Sequence, residues 1–222
     1  MKFRGELRDI KLINFSVKLE EVLPLVPKSF RALQENGRAI ISMVDVKLKN
    51  MYPSVFPFFK FGYRYVAFRL LLDDTEISGI NKPKGVYFLK NFSNRPLLNF
   101  FGNLILNQKS TYAHIMEYFD AFSLKQGSKH IEYALDPYSK CSNEPFLHQK
   151  IHRIDRVYET NENGILVSKI FKENYWPIEP IKCYYFATNF FKTARFLGAF
   201  KVKDNLDYYW NSPVLVSKKQ LK

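Results

Sequence analysis

The chain has 222 residues, a formal net charge of +13 and a pI near 9.6. It is 46% hydrophobic and 25% charged, which fits one globular core and excludes a disordered or collagenous chain. Aromatic residues reach 17%, with 21 Phe and 14 Tyr, so bulky rings packed between strands or around an apolar pocket are expected.

The opening residues, Met1 to Ile10, are charged and lack the apolar stretch of a signal peptide. The longest apolar run, near Pro96 to Leu106, is about half the length needed to cross a bilayer, and no membrane partner is expected. Cys141 and Cys183 stand apart from any CxxC pattern, which suits reduced thiols and a cytoplasmic location. No linker, repeat or low-complexity tract divides the chain, so residues 1–222 read as one domain.

In chain order, Asp9 to Val17 predicts a strand and Lys18 to Leu25 a short helix, ended by Pro24 and Pro27. Glu35-Asn36-Gly37 is a turn signal leading into a β-branched strand, Ala39 to Leu48. Phe61 to Leu72 predicts a strand with apolar residues on both pleat faces, as in a barrel or a covered sheet. Gly85 to Phe92 is a further strand. Leu97, Phe100, Phe101, Leu104 and Ile105 have helical spacing behind Pro96. Thr111 to Phe119, Lys129 to Leu135 and Ile151 to Glu159 predict strands, and Asn163-Gly164 turns into another, Ile165 to Phe171. Trp176 and Trp210 lie in proline-flanked, turn-like segments that would pack as lids. The fold class expected is mainly β with a few short helices.

The runs RDIKLINFSVKLEEVLPLVPKSF and ENGRAIISMVDVKL, followed by YRYVAFR, NFSNRPLLNFFG, YWPIEP and DYYWNSP, resemble an uncharacterised, YqjF-like branch of the acetoacetate decarboxylase-like superfamily. The resemblance covers about Arg8 to Pro213. It implies a closed, cone-like antiparallel β-barrel around a mostly apolar cavity. The decarboxylases of that superfamily work through an imine-forming lysine beside a second lysine, and acetoacetate decarboxylase is the standard example of an amine activated by a cationic neighbour and desolvation. At the matching place this chain has Gly102-Asn103, neither of which forms an imine. Lys109 has no lysine neighbour and follows the polar pair Asn107-Gln108, so it reads as a surface lysine. Tyr65 stands about where sister sequences carry a carboxylate. The resemblance thus implies the fold and argues against the reaction.

Other chemistries find little support. His148 and His152 would share a helix face, but Gln149 stands where a zinc hydrolase needs Glu, and Lys150, Arg153 and Arg156 crowd the pair with positive charge. No metal site is expected. There is no nucleophile elbow and no glycine-rich phosphate loop, so neither a catalytic triad nor a nucleotide cofactor is expected. Gly62 to Phe68 resembles the aromatic strand of an RNA-recognition motif, but Phe61 and Arg64 break the pattern and Tyr87 to Phe92 follows it rather than precedes it.

The leading expectation is a barrel that binds a small, partly apolar ligand, either a carboxylate or a polar-headed apolar molecule, with Tyr65, Arg69, Arg95, Tyr112 and His114 as pocket candidates. No catalytic residue is assigned. Two alternatives are a basic nucleic-acid-binding protein using aromatic strands, and a decarboxylase-like enzyme with a relocated catalytic group. Nothing in the sequence signals an oligomeric state.

Overall fold

The computed structural model describes residues 3–55, 57–79, 84–96, 110–136, 138–139, 145–171, 177–203, 206–210 and 214–216. The expected helix from Leu97 to Ile105, together with Gly102-Asn103, Lys109, Cys141 and Trp176, lies outside these residues.

Two long strands form the frame, β1 (Phe3–Lys18) and β3 (Arg38–Pro53), paired antiparallel along nearly their whole length. Between them come a one-turn helix α1 (Leu19–Val22), a 3₁₀ turn (Leu23–Leu25) and the short strand β2 (Gln34–Glu35). The β2–β3 hairpin turns at Asn36 and Gly37, both with positive φ, which is what the Asn-Gly signal demands. Strand β4 (Phe61–Leu71) pairs with β3, and β5 (Gly85–Ser93) with β4; the one-turn helix α2 (Thr75–Ser78) lies between them.

From this four-stranded centre the sheet continues along two branches. One carries β10 (Arg156–Asn161), β11 (Gly164–Phe171) and β14 (Leu206–Trp210), which returns to the first residues of β1. The other leaves the later part of β1 through β13 (Arg195–Val202), β12 (Ile178–Thr188), β9 (Lys129–Asp136), β8 (Ala121–Gln126) and β7 (His114–Tyr118). The small strands β6 (Ser110–Tyr112) and β15 (Val214–Leu215) pair with β5 and β11. The β5–β10 and β5–β6 pairs are parallel, so the sheet is mixed, not wholly antiparallel as the family resemblance implied.

Each face of the central strands is buried. On β4, Val66, Phe68 and Leu70 pack toward β8 and β9 with Phe15, Met43, Phe122 and Tyr133. Ala67 and Leu71 pack the other way with Leu12, Val44, Phe200 and the helix α3 (Pro145–His152). The doubly apolar pattern of Phe61 to Leu72 therefore encodes a strand with a core on both sides.

Helix α3 corrects the expected strand from Ile151 to Glu159, which begins only at Arg156. Leu147, Ile151 and Ile154 recur at four and three residues and all face the core, so helical periodicity outweighs the β-branched content. Trp210 is likewise in strand β14, opposite Phe3 and Ile170, because its backbone completes a ladder rather than a turn.

Candidate functional site

The sheet register brings polar residues together on both faces of the centre. On the β8–β9 side, Asp45 of β3 is fully buried and accepts Nε and Nη2 of Arg64 at 2.7 and 2.6 Å. Tyr133 also donates its hydroxyl to Asp45. Arg64 Nη1 reaches Glu117 of β7 at 2.5 Å, and the Phe122 ring lies 5.1 Å from the guanidinium carbon. Lys11 and Lys47 each place their amine 2.7 Å from Glu117, and Lys47 also meets Asp9 at 2.9 Å.

Three carboxylates and three cations thus balance, and the electrostatics follow from that. Burial pulls the Glu117 carboxyl upward, but hydrogen bonds from Arg64, Lys11 and Lys47 hold it well below the usual carboxylate range. Burial alone would lower the Lys47 amine, yet Glu117 and Asp9 raise it. Burial and then the Asp45 charge push the Tyr133 phenol far up, so it is a hydroxyl donor. This cluster ties together β1, β3, β4, β7 and β9, with each group matched. An imine-forming lysine needs a lowered pKa, and the carboxylates around Lys47 give the opposite.

The α3 side is different. Asn14, Ser42 and Arg69 are directly opposite one another across β1, β3 and β4, forming one transverse row. All three are buried, among Ile40, Val44, Ala67 and Leu71. Arg69 donates from Nε to the Ser42 carbonyl at 3.2 Å and from Nη2 to Ser42 Oγ at 3.0 Å. Asn14 Nδ2 donates to the carbonyls of Leu12 (3.3 Å) and Gly198 (3.1 Å), which fixes the amide's orientation. Its Oδ1 is buried and has no hydrogen-bond partner. Two same-face positions along β4, Tyr65 donates its hydroxyl to Asn91 Oδ1 at 3.0 Å.

Of the residues the sequence singled out, Arg69 and Tyr65 share this face of β4, two pleats apart. Arg95 is exposed beyond β5, with its amide donating to Ser93 Oγ. Tyr112 and His114 are exposed, and Ala113 between them turns inward. His148 and His152 do stack along α3, their ring centroids 5.8 Å apart, with His148 edge-on to Phe200. No group of three or more metal-ligating side chains occurs among the described residues. Of the rings of β4, Phe68 is wholly buried and Phe61, Tyr63 and Tyr65 are half-buried, which disfavours a base-stacking surface.

Sequence reasoning passed over Asn14, Ser42, Asp45, Arg64 and Glu117. The available signal was a polar residue inside a run apolar on both sides, as in Ile13-Asn14-Phe15 and Ile41-Ser42-Met43.

Comparison with solved structures places this arrangement in a known fold. An acetoacetate decarboxylase-like enzyme from Sphingomonas wittichii RW1 superposes with a TM-score of 0.63 at 5% identity, covering 97% of this chain and 93% of that one. The enduracididine biosynthesis enzyme MppR, complexed with the condensation product of pyruvate and imidazole 4-carboxaldehyde, gives 0.61 at 8% identity, covering 98% and 90%. Acetoacetate decarboxylase from Legionella pneumophila gives 0.60 at 10% identity, covering 98% and 88%. At such identities the likeness is one of fold. No curated protein sequence matches the chain. The profile of the DUF2071 family, described as "Uncharacterized conserved protein", matches residues 4–179. The chain belongs to the DUF2071 family of uncharacterized conserved proteins and carries an acetoacetate decarboxylase-like fold.

Proposed function

We propose that this chain binds a small, partly apolar carboxylate, held without a covalent bond against the Asn14–Ser42–Arg69 row. The observation that carries this reading is the Asn14 carbonyl oxygen, buried and left without a donor in the same cross-strand row as the buried Arg69. An unmet buried acceptor is costly, and its persistence is accounted for by a partner that arrives from outside the chain. Arg69 supplies the charge complement for a carboxylate, and Asn14 accepts from a hydroxyl or amine on the same molecule. The apolar residues around the row suit a short hydrocarbon portion. No residue is assigned a covalent role, since Gly102-Asn103 replaces the lysine pair of the related decarboxylases and Lys47 is held protonated.

Melting curves with a panel of short hydroxy-, keto- and unsubstituted carboxylates test the proposal. Near-saturating ligand is expected to raise the melting temperature by about 5–10 °C. The shift should vanish in Arg69→Gln and shrink in Asn14→Ala. No shift with any of the panel, or an unchanged shift in folded Arg69→Gln, overturns it.

A further inference from the structure

The Asn14 amide constrains what a bound carboxylate can carry elsewhere on its skeleton. Asn14, Ser42 and Arg69 stand opposite one another on three neighbouring strands, with Ser42 in the middle. Arg69 Nη2 lies 3.0 Å from Ser42 Oγ and Nε lies 3.2 Å from the Ser42 carbonyl, so the guanidinium is held at the middle of the row. From there to Asn14 is one strand spacing, roughly 5 Å, a span that suits a short acid.

Asn14 itself offers one kind of hydrogen bond. Its Nδ2 gives its hydrogens to the carbonyls of Leu12 and Gly198. The group left over is Oδ1, an acceptor closed to solvent and without a donor. A keto oxygen is also an acceptor, and two acceptors set against each other repel. A ligand that fits must donate at this point.

Hydroxyl and ammonium groups both donate, and charge separates them. A buried ammonium requires a carboxylate partner. Among the described residues, the buried acids are Asp45 and Asp74. Asp45 faces the β8–β9 side, where Arg64 and Tyr133 hold it. Asp74 accepts from Tyr158, whose ring packs in that same core. Neither lies in the row, whose charged member is the cation Arg69. A hydroxyl donates without bringing a charge to bury.

Resting on the carboxylate reading above, we propose that the ligand is a short hydroxy acid. Asn14 is the residue that selects its hydroxyl against a keto or an amino group. Such discrimination is steep, because the wrong ligand leaves a buried polar atom unmet.

Isothermal titration calorimetry with two matched series tests this. One is lactate, pyruvate and alanine; the other is β-hydroxybutyrate, acetoacetate and β-aminobutyrate. In at least one series the hydroxy acid should bind about tenfold or more tightly than its keto and amino partners. The keto acid then binds too, but at higher concentration. Asn14→Leu keeps the volume and removes the acceptor, so the preference should fall to about twofold or less. The parent series decides by itself if that variant does not fold.

Keto or amino acids that bind as tightly as the hydroxy acid in both series, with binding lost in Arg69→Gln, overturn the hydroxyl assignment and leave the carboxylate site standing. A preference that folded Arg69→Gln abolishes but folded Asn14→Leu keeps overturns the role of Asn14. Binding of no acid in either series, or binding unchanged in folded Arg69→Gln, removes the carboxylate site and this assignment with it.

Discussion

At the scale of single residues, two polar groupings on opposite faces of one sheet obey different logic. Around Asp45 every charge is answered, and the cluster's worth shows when one member is removed. Asp45→Asn leaves Arg64 buried with half its bidentate partner, and should cost about 3–5 kcal/mol in denaturant unfolding. Tyr133→Phe removes one donor to Asp45 and should cost about 1.5–3 kcal/mol, the worth of a hydrogen bond to a charged group.

Glu117 supplies a pH signature. Its folded pKa is depressed, so it binds a proton less readily in the folded chain than in the unfolded one. The stabilisation is complete above the unfolded carboxyl value near ~4.3 and is lost as pH falls toward the lower folded one. Unfolding measured from about pH 5 downward should therefore steepen in the parent. In Glu117→Gln that acid limb should flatten, with lower stability at neutral pH. Equal acid limbs in the two proteins would show that Glu117 is not a principal anchor.

At the scale of elements, most strands were legible because each combines β-branched or aromatic content with a clear turn. Asn36-Gly37 and Asn163-Gly164 mark their hairpins by residue type. Less legible was the β7–β8 connection, whose positive-φ residue is Phe119 where Asn or Gly would signal a turn. Pro180 similarly hid β12, since a proline usually argues against a strand interior, yet it sits opposite Phe200 within the ladder. The site was half legible. Arg69 and Tyr65 follow from β4 alone, whereas their partners Ser42 and Asn91 come from β3 and β5, and Asn14 in the same row comes from β1, so only the register joins them.

One glycine shows how closely elements meet. A Cβ on Gly85 would fall 2.3 Å from the Tyr158 ring and 2.9 Å from Asp74 Oδ2, where β5 starts beside β10. Tyr158 is itself held by a hydrogen bond to buried Asp74 at 3.0 Å, so it cannot yield freely. Gly85→Ala should destabilise by about 1–3 kcal/mol through overpacking. A melting temperature equal to the parent's would mean that the ring moves aside without cost.

At the scale of the whole molecule, the fold is shared with proteins whose names record decarboxylase chemistry, and this chain's interior holds two buried polar groupings on opposite faces of its sheet. The Lys47 amine is raised by the carboxylates beside it, and the Asn14 carbonyl oxygen is buried without a donor in the row that Ser42 and Arg69 complete. The +13 net charge is spread along the chain rather than gathered in one run.

The claim that binding here is non-covalent is tested most directly by reductive trapping. The chain is incubated with a β-keto acid such as acetoacetate, treated with borohydride, and weighed intact by mass spectrometry. The expected result is an unchanged mass, under conditions where the same acid shifts the melting temperature of the untreated protein. A stoichiometric adduct mapped to one lysine would contradict it and restore imine chemistry to this fold.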